Sequence, residues 1–298
     1  MQLNKAFISN IHDIYGEAGA LWLQHLPLRL EHLSSLWNFH LLRPMSSLTY
    51  NFVALVKMNS TNKTAVIKMA PDGANILNEI NWLNCMQNAS PKIYAFDEER
   101  NAFLMENLEP GYSLKNYLRQ GDDDSATKIV CQMIRDLQSQ KHSGLKFRHL
   151  SELSDAFSVL KGHFNLRLLS KSEGLFKELT SDRSQDVILH GDLHHDNILL
   201  SEHGWKVIDP HGYVGDPAAE IGPMVRNFIE CLPQKQPLPE VVAHRMRTIA
   251  DELPFDPQKI KAWALCVTTL CAAWTFEQHC KVNEFDIEVA SAIDQTKF

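Results

Sequence analysis

The sequence predicts an α+β chain in two parts: a small, mostly antiparallel sheet with one helix, then a mostly helical part. Three observations carry this reading. Between residues 39 and 106, β-branched and aromatic runs alternate with turn residues, whereas helical periodicity dominates from 107 onward. Three tiny apolar runs, Val187–Leu189, Ile198–Leu200 and Trp205–Ile208, interrupt the helices and hold ionisable residues at their ends. At 298 residues and 44% hydrophobic content the chain is long enough for two lobes and a sizeable core. The parts are expected at 1–106 and 107–298.

Residues 4–37 read as helical, with Leu21, Leu26, Leu28, Leu30, Leu33 and Trp37 apolar and a break near Pro27. Strands are expected at 39–42, 50–58 and 64–69. A helix over 74–86 then places Ile76, Leu77, Ile80 and Leu83 on one face, with Glu79 mid-helix. Strands at 92–97 and 101–106 close the sheet, and Pro110-Gly111 turns the chain. Helices are predicted at 112–119, 124–140, 151–169 and 172–181, then at 217–231, 239–252, 256–281 and 284–296. Asp216-Pro217 supplies an N-cap and first helical residue.

A net charge of −7 argues against a nucleic-acid footprint and suits a cationic ligand. The six cysteines form no Cys-x-x-Cys pair and read as small apolar residues in a reducing compartment. No apolar run approaches the length of a membrane span, and the first residues lack a continuous apolar signal region. The expected location is the cytoplasm.

The chemistry concentrates in His190-Gly-Asp-Leu-His-His-Asp-Asn197, whose His-x-Asp-x-x-x-x-Asn spacing is that of a kinase catalytic loop, and in Asp209 twelve residues on. Mg²⁺ is a hard ion that keeps several waters, so the Asn197 amide oxygen, the Asp209 carboxylate and substrate phosphates suffice to hold it. Asp192 is ionised at neutral pH and a weak base, but it can orient a hydroxyl and take the proton late. Upstream, Ala65-Val66-Ile67-Lys68 reads as a strand lysine for the α and β phosphates, with Glu79 as its partner. The candidate phosphate loop is Met45–Asn51, through Ser46 and Ser47. The Glu106 carbonyl and Leu108 amide are candidates for an adenine ring. Two other readings compete: a merely solvated turn, and a zinc hydrolase built on His190, His194, His195, His203 and His211. The second lacks a helical His-x-x-x-His pair and leaves Lys68 and Glu79 without a role.

With Lys68, Glu79, Asp192, Asn197 and Asp209 in this order, the chain resembles the aminoglycoside phosphotransferases, most nearly the streptomycin 6-kinase and hydroxyurea phosphotransferase branch. The likeness is strongest over 190–197 and 208–217, weaker over 104–114 and weakest over 272–277. It implies a two-lobed, protein-kinase-like fold with nucleotide in the cleft and acceptor on the C-lobe helices. Asp192 would be the base, and Asn197 and Asp209 the Mg²⁺ ligands. Two departures stand out: no glycine occurs between Gly19 and Gly73, and Glu220 stands where relatives tend to keep an Asp. Pro210-His211 after Asp209, with no Ala-Pro-Glu beyond, leaves no room for a protein kinase's activation segment. The expected activity is ATP- and Mg²⁺-dependent transfer to a hydroxyl of a streptomycin-like acceptor, with Glu230 and Glu277 receiving cationic groups. The alternatives are a metabolic kinase for a sugar, choline-like amine or amino alcohol, and a nucleotide-binding pseudo-enzyme.

Overall fold

The computed structural model describes residues 3–46, 48–140, 146–233 and 236–298. The chain divides into two compact units, Met1–Glu109 and Pro110–Phe298.

The first unit is helix α1 (Lys5–Trp37) against a five-stranded antiparallel sheet. The strands are β1 (Phe39–Pro44), β2 (Phe52–Met58), β3 (Thr64–Met69), β4 (Ile93–Asp97) and β5 (Ala102–Glu106), in the order β1-β2-β3-β5-β4. Helix α2 (Ile76–Cys85) follows β3. Alternation on β2 sends Phe52, Ala54 and Val56 inward, where they meet Trp22, Leu26, Leu30 and Leu33 of α1. This packing overrides the expected break: α1 runs through Pro27 and bends instead at Gly16, whose φ of 55° and ψ of −132° no helix accommodates.

The second unit opens with β6 (Pro110–Ser113), α3 (Lys115–Arg119), α4 (Asp123–Gln138), β7 (Arg148–His149), a 3₁₀ helix at Leu150–Leu160 and α5 (Leu166–Leu179). The catalytic-loop candidates lie among β8 (Val187–Leu189), β9 (Ile198–Ser201), β10 (Gly204–Val207) and β11 (Tyr213–Gly215). These strands form two three-stranded sheets, β10-β9-β6 and β7-β11-β8. The chain closes with α6 (Gly222–Arg226), α7 (Leu238–Glu252), α8 (Pro257–His279) and α9 (Glu284–Gln295). Helix α8, started by the Asp256 side chain and Pro257, is buried along most of its length and packs against α5, α6, α7 and α9. Among the described residues no helix is long and apolar enough to cross a membrane.

Three predicted helices are corrected. Residues 110–113 form a strand because they pair with β9, with the Leu114 N–H donating to the Ile198 carbonyl at 2.9 Å. The 151–169 segment is a 3₁₀ helix that stops at Leu160, ahead of Gly162 at φ 81°. The 217–231 segment breaks into a 3₁₀ turn (Pro217–Ile221), α6 and a second 3₁₀ turn (Ile229–Cys231), because Phe228 takes a left-handed backbone conformation.

One buried cation ties these pieces together. Arg245 of α7 is fully buried; it bonds the Asp123 carboxylate at 2.8–3.0 Å and the carbonyls of Met224, Val225 and Asn227 at 2.8–3.2 Å. Replacing it with Met would strand the Asp123 charge and three carbonyls. R245M should therefore lower unfolding free energy by about 3–5 kcal/mol, read as a fall in urea midpoint at unchanged slope.

Candidate active site

In the first unit, β3 presents Lys68, buried one residue before the strand ends. Its ammonium meets both oxygens of Glu79, at 2.9 and 2.8 Å, with both side chains largely buried. A buried ion pair is held only when both partners are present, so each fixes the other. Ser46 lies exposed in the turn after β1, and its carbonyl accepts from Asn4 at 3.4 Å. Ser47 lies outside the described residues. Glu106 ends β5, its carboxylate taking the Lys92 N–H at 3.1 Å, and Leu108 is buried two residues on.

In the second unit the loop is built from the end of β8. Gly191 has φ 82°, and a Cβ there would lie 2.6 Å from the Tyr213 ring, so the turn requires glycine. The turn aims the N–H groups of His190 and Gly191 at one carboxylate. Glu220 takes them on separate oxygens at 2.7 and 3.0 Å. On the other side the His190 carbonyl accepts from His211 and Gly212 at 2.8 and 3.1 Å. The His190 ring is buried and closes the turn: its Nε2–H donates to the Ile208 carbonyl at 2.9 Å and Nδ1 accepts the Asp192 N–H at 3.3 Å. Burial pushes this imidazole down to about 4 and keeps it neutral.

Asp192 thus projects from a fixed turn. Asn197 donates its amide to the Asp192 carbonyl at 3.0 Å and approaches its carboxylate at 3.4 Å. Because a carbonyl can only accept, this bond orients the amide and leaves Oδ1 as the atom available to a hard cation. The Ile208 N–H donates to the Asn197 carbonyl at 2.9 Å, so Asp209 sits one residue beyond that bond, exposed, at φ 60°. An amide oxygen and a nearby exposed carboxylate are oxygen donors of the kind magnesium takes. Among the described residues no three His, Cys, Asp or Glu side chains gather as zinc ligands, and the His190 ring nitrogens are already bonded.

Charge on Asp192 is balanced locally. Burial raises its pKa, but His194, with Nε2 3.5 Å from Oδ2, outweighs this together with His211, and the carboxyl sits below its ordinary value. Burial likewise opposes charge on His194, yet the Asp192 carboxylate raises that imidazole above its ordinary value. Glu230 and Glu277 are exposed, on the second 3₁₀ turn and the last turn of α8. Sequence reasoning did not foresee that Glu220 anchors the loop, since its partners are backbone groups that leave no trace in residue identity.

The sequence pattern of the aminoglycoside/hydroxyurea antibiotic resistance kinases matches residues 41–279. The chain belongs to this family. It is an enzyme, a small-molecule phosphotransferase acting on a hydroxyl group. Among individual kinases it is similar to a streptomycin 3''-kinase from Klebsiella pneumoniae, at 26% identity over 79% of this chain and 89% of that one. It is also similar to a streptomycin 6-kinase from Streptomyces glaucescens, at 24% identity over 88% and 87%. Among solved structures, the choline kinase LicA from Streptococcus pneumoniae superposes with a TM-score of 0.62 at 18% identity, covering 91% of this chain and 98% of that one. That likeness establishes the kinase-like fold, an antiparallel-sheet unit followed by a mostly helical one.

For this kinase, burial in an apolar surround pushes Glu220 up to about 7. A cavity of about 20 Å³ beside it is lined by Leu189, Phe176, Trp263 and Leu270. Because the folded value lies above the ordinary 4.5, the folded chain holds an extra proton between about pH 4.5 and 7, and stability falls as pH rises through that window. Glu220→Gln should remove this fall. Urea denaturation across pH 5–8 should show the wild-type advantage over E220Q shrinking by up to about 3 kcal/mol as pH rises; a constant gap would contradict the buried carboxyl's titration.

Proposed function

We propose that this kinase transfers the γ-phosphoryl group of ATP, with Mg²⁺, to a hydroxyl of a streptomycin-like aminocyclitol. The observation that carries the reading is the Asp192–Asn197–Ile208 bonding, which holds one carboxylate and one amide oxygen beside each other on a fixed turn, with Asp209 next in the chain. Streptomycin is favoured because the similar curated kinases are named for it.

Asp192 accepts a hydrogen bond from the acceptor hydroxyl and aims its oxygen at the γ phosphorus. As the new O–P bond forms and the bond to the β-phosphate oxygen breaks, the hydroxyl proton passes to the Asp192 carboxylate. Little basicity is required, because the transition state of phosphoryl transfer is loose and the proton leaves late. Asn197, through Oδ1, and Asp209 hold the magnesium ion, which when bound neutralises charge on the triphosphate. Lys68, held by Glu79, receives the α and β phosphates as a point charge. Ser46 and Ser47 offer hydroxyl and amide groups to phosphate, while the Glu106 carbonyl and Leu108 amide receive the adenine edge. Glu230 and Glu277 receive cationic groups of the acceptor.

Asp192→Asn should lower turnover by about 10²–10⁴-fold while ATP affinity, measured by calorimetry, stays within about 2-fold. Lost ATP binding would contradict the base assignment. Lys68→Ala should instead raise the KM for ATP by about 10–100-fold, the worth of a charge-assisted hydrogen bond. Screening ATP consumption against aminoglycosides and small hydroxylated metabolites tests the acceptor: turnover confined to choline-like amines or sugars would overturn the streptomycin assignment.

A further inference from the structure

Phe228 stands outside everything the proposed mechanism uses, yet its backbone takes a conformation that few side chains adopt. Its backbone lies at φ 60° and ψ 21°. The other described non-glycine residues at positive φ are three Asn, Asp209 and Cys280, so Phe228 is the one aromatic among them. A bulky side chain there is strained, and Gly or Asn would serve a simple chain reversal better. The surroundings hold the strain in place. The Asn227 carbonyl is bonded by the buried Arg245, and the Asn227 side chain by Arg226, itself locked to Asp286.

The conformation puts the ring in one place. Its centroid lies 5.3 Å from that of His194 and 6.1 Å from that of His195, both edge-to-face at 88° and 78°. The Lys115 ammonium sits 3.7 Å from the ring centroid and pairs with Asp196, which Ser113 also bonds. His194 Nδ1 is buried and bonds no other residue among the described ones. Packing and the 3.5 Å contact through Nε2 are what hold the ring at Asp192.

We infer that Phe228 is a positioning residue, whose ring holds the His194 imidazole against the Asp192 carboxylate. It touches no reacting atom; it acts through His194. The inference deepens the assignment of Asp192 as base and rests on it for its kinetic consequence, though not for its structural one.

Two readouts test it. With streptomycin as probe acceptor, F228G, whose glycine accepts the left-handed backbone without strain, should lose about 10-fold in kcat with the KM for ATP unchanged. H194A should lose about as much and the double variant no more, because the two act as one unit, while F228Y should stay within about 2-fold of wild type. Losses that multiply, an effect confined to the KM for streptomycin, or an unchanged kcat would each overturn the role. The second readout needs no acceptor: in ¹⁵N-histidine-labelled protein, the His194 Nε2 resonance of F228G should move from its wild-type position to that found in D192N. An unmoved resonance overturns the positioning role even if streptomycin is no substrate. Full turnover in D192N would instead sink the base assignment and leave the resonance test standing.

Discussion

A carboxylate bonding two adjacent backbone N–H groups is the constraint on which the second unit's site depends. The turn at Gly191 aims the His190 and Gly191 amides the same way, and Glu220 supplies one oxygen to each. Leaving either amide unpaired in this apolar surround would cost about 1–3 kcal/mol, and a carboxylate is the side chain whose two oxygens can satisfy both. On the opposite side the His190 carbonyl takes two N–H groups from 211–212, and the Asn197 carbonyl takes that of Ile208. Residues 190–197 and 208–212 are therefore one hydrogen-bonded piece. Asp192 and Asp209 keep their relation because the backbone beneath them is shared.

Much of this was legible in the sequence, for a physical reason. His190–Asn197 is contiguous, so its spacing survives without the fold, and Lys68 sits in a β-branched run whose strand is unmistakable. The five strands of the first unit and α2 follow the expected order, because alternation and turn residues are local signals. What could not be read was tertiary. Residues 110–113 become a strand only because β9 offers them a partner, and the strands at 148–149 and 213–215 are too short to show a period. Pro27 stays helical because the inward face of α1 is buried on the sheet. Glu220 was legible only as standing where relatives tend to keep an Asp; its ligands, two peptide N–H groups some thirty residues upstream, carry no residue code.

Buried charge in the second unit gathers around 222–231. Arg245 reaches the carbonyls of 224, 225 and 227, and Arg226 is gripped by Asp286, one of whose oxygens has no partner among the described residues. Burying such groups is expensive, and replacing a whole ion pair, both partners together, by apolar residues often stabilises a fold. Arg245 holds the backbone just before Phe228, and Arg226 holds the side chain of the adjoining Asn227. A segment over-determined in this way can hold a residue in a conformation it would otherwise leave.

The low pKa of Asp192 then has a consistent place. A carboxyl raised toward neutrality would be a better base, and burial alone would push it there. The imidazoles of His194 and His211 push it the other way and prevail. Such a group is of little use where a proton must leave before the new bond forms. It suits a reaction in which the phosphoryl group is already detaching as the hydroxyl approaches, so that the acidity of the hydroxyl rises as its oxygen bonds to phosphorus. What such chemistry asks of the protein is a charged acceptor that stays ionised and stays still, and near-attack placement carries more of the barrier than proton affinity does. The architecture around residue 192 meets that demand with backbone hydrogen bonds, a neutral His190 and an anchored turn.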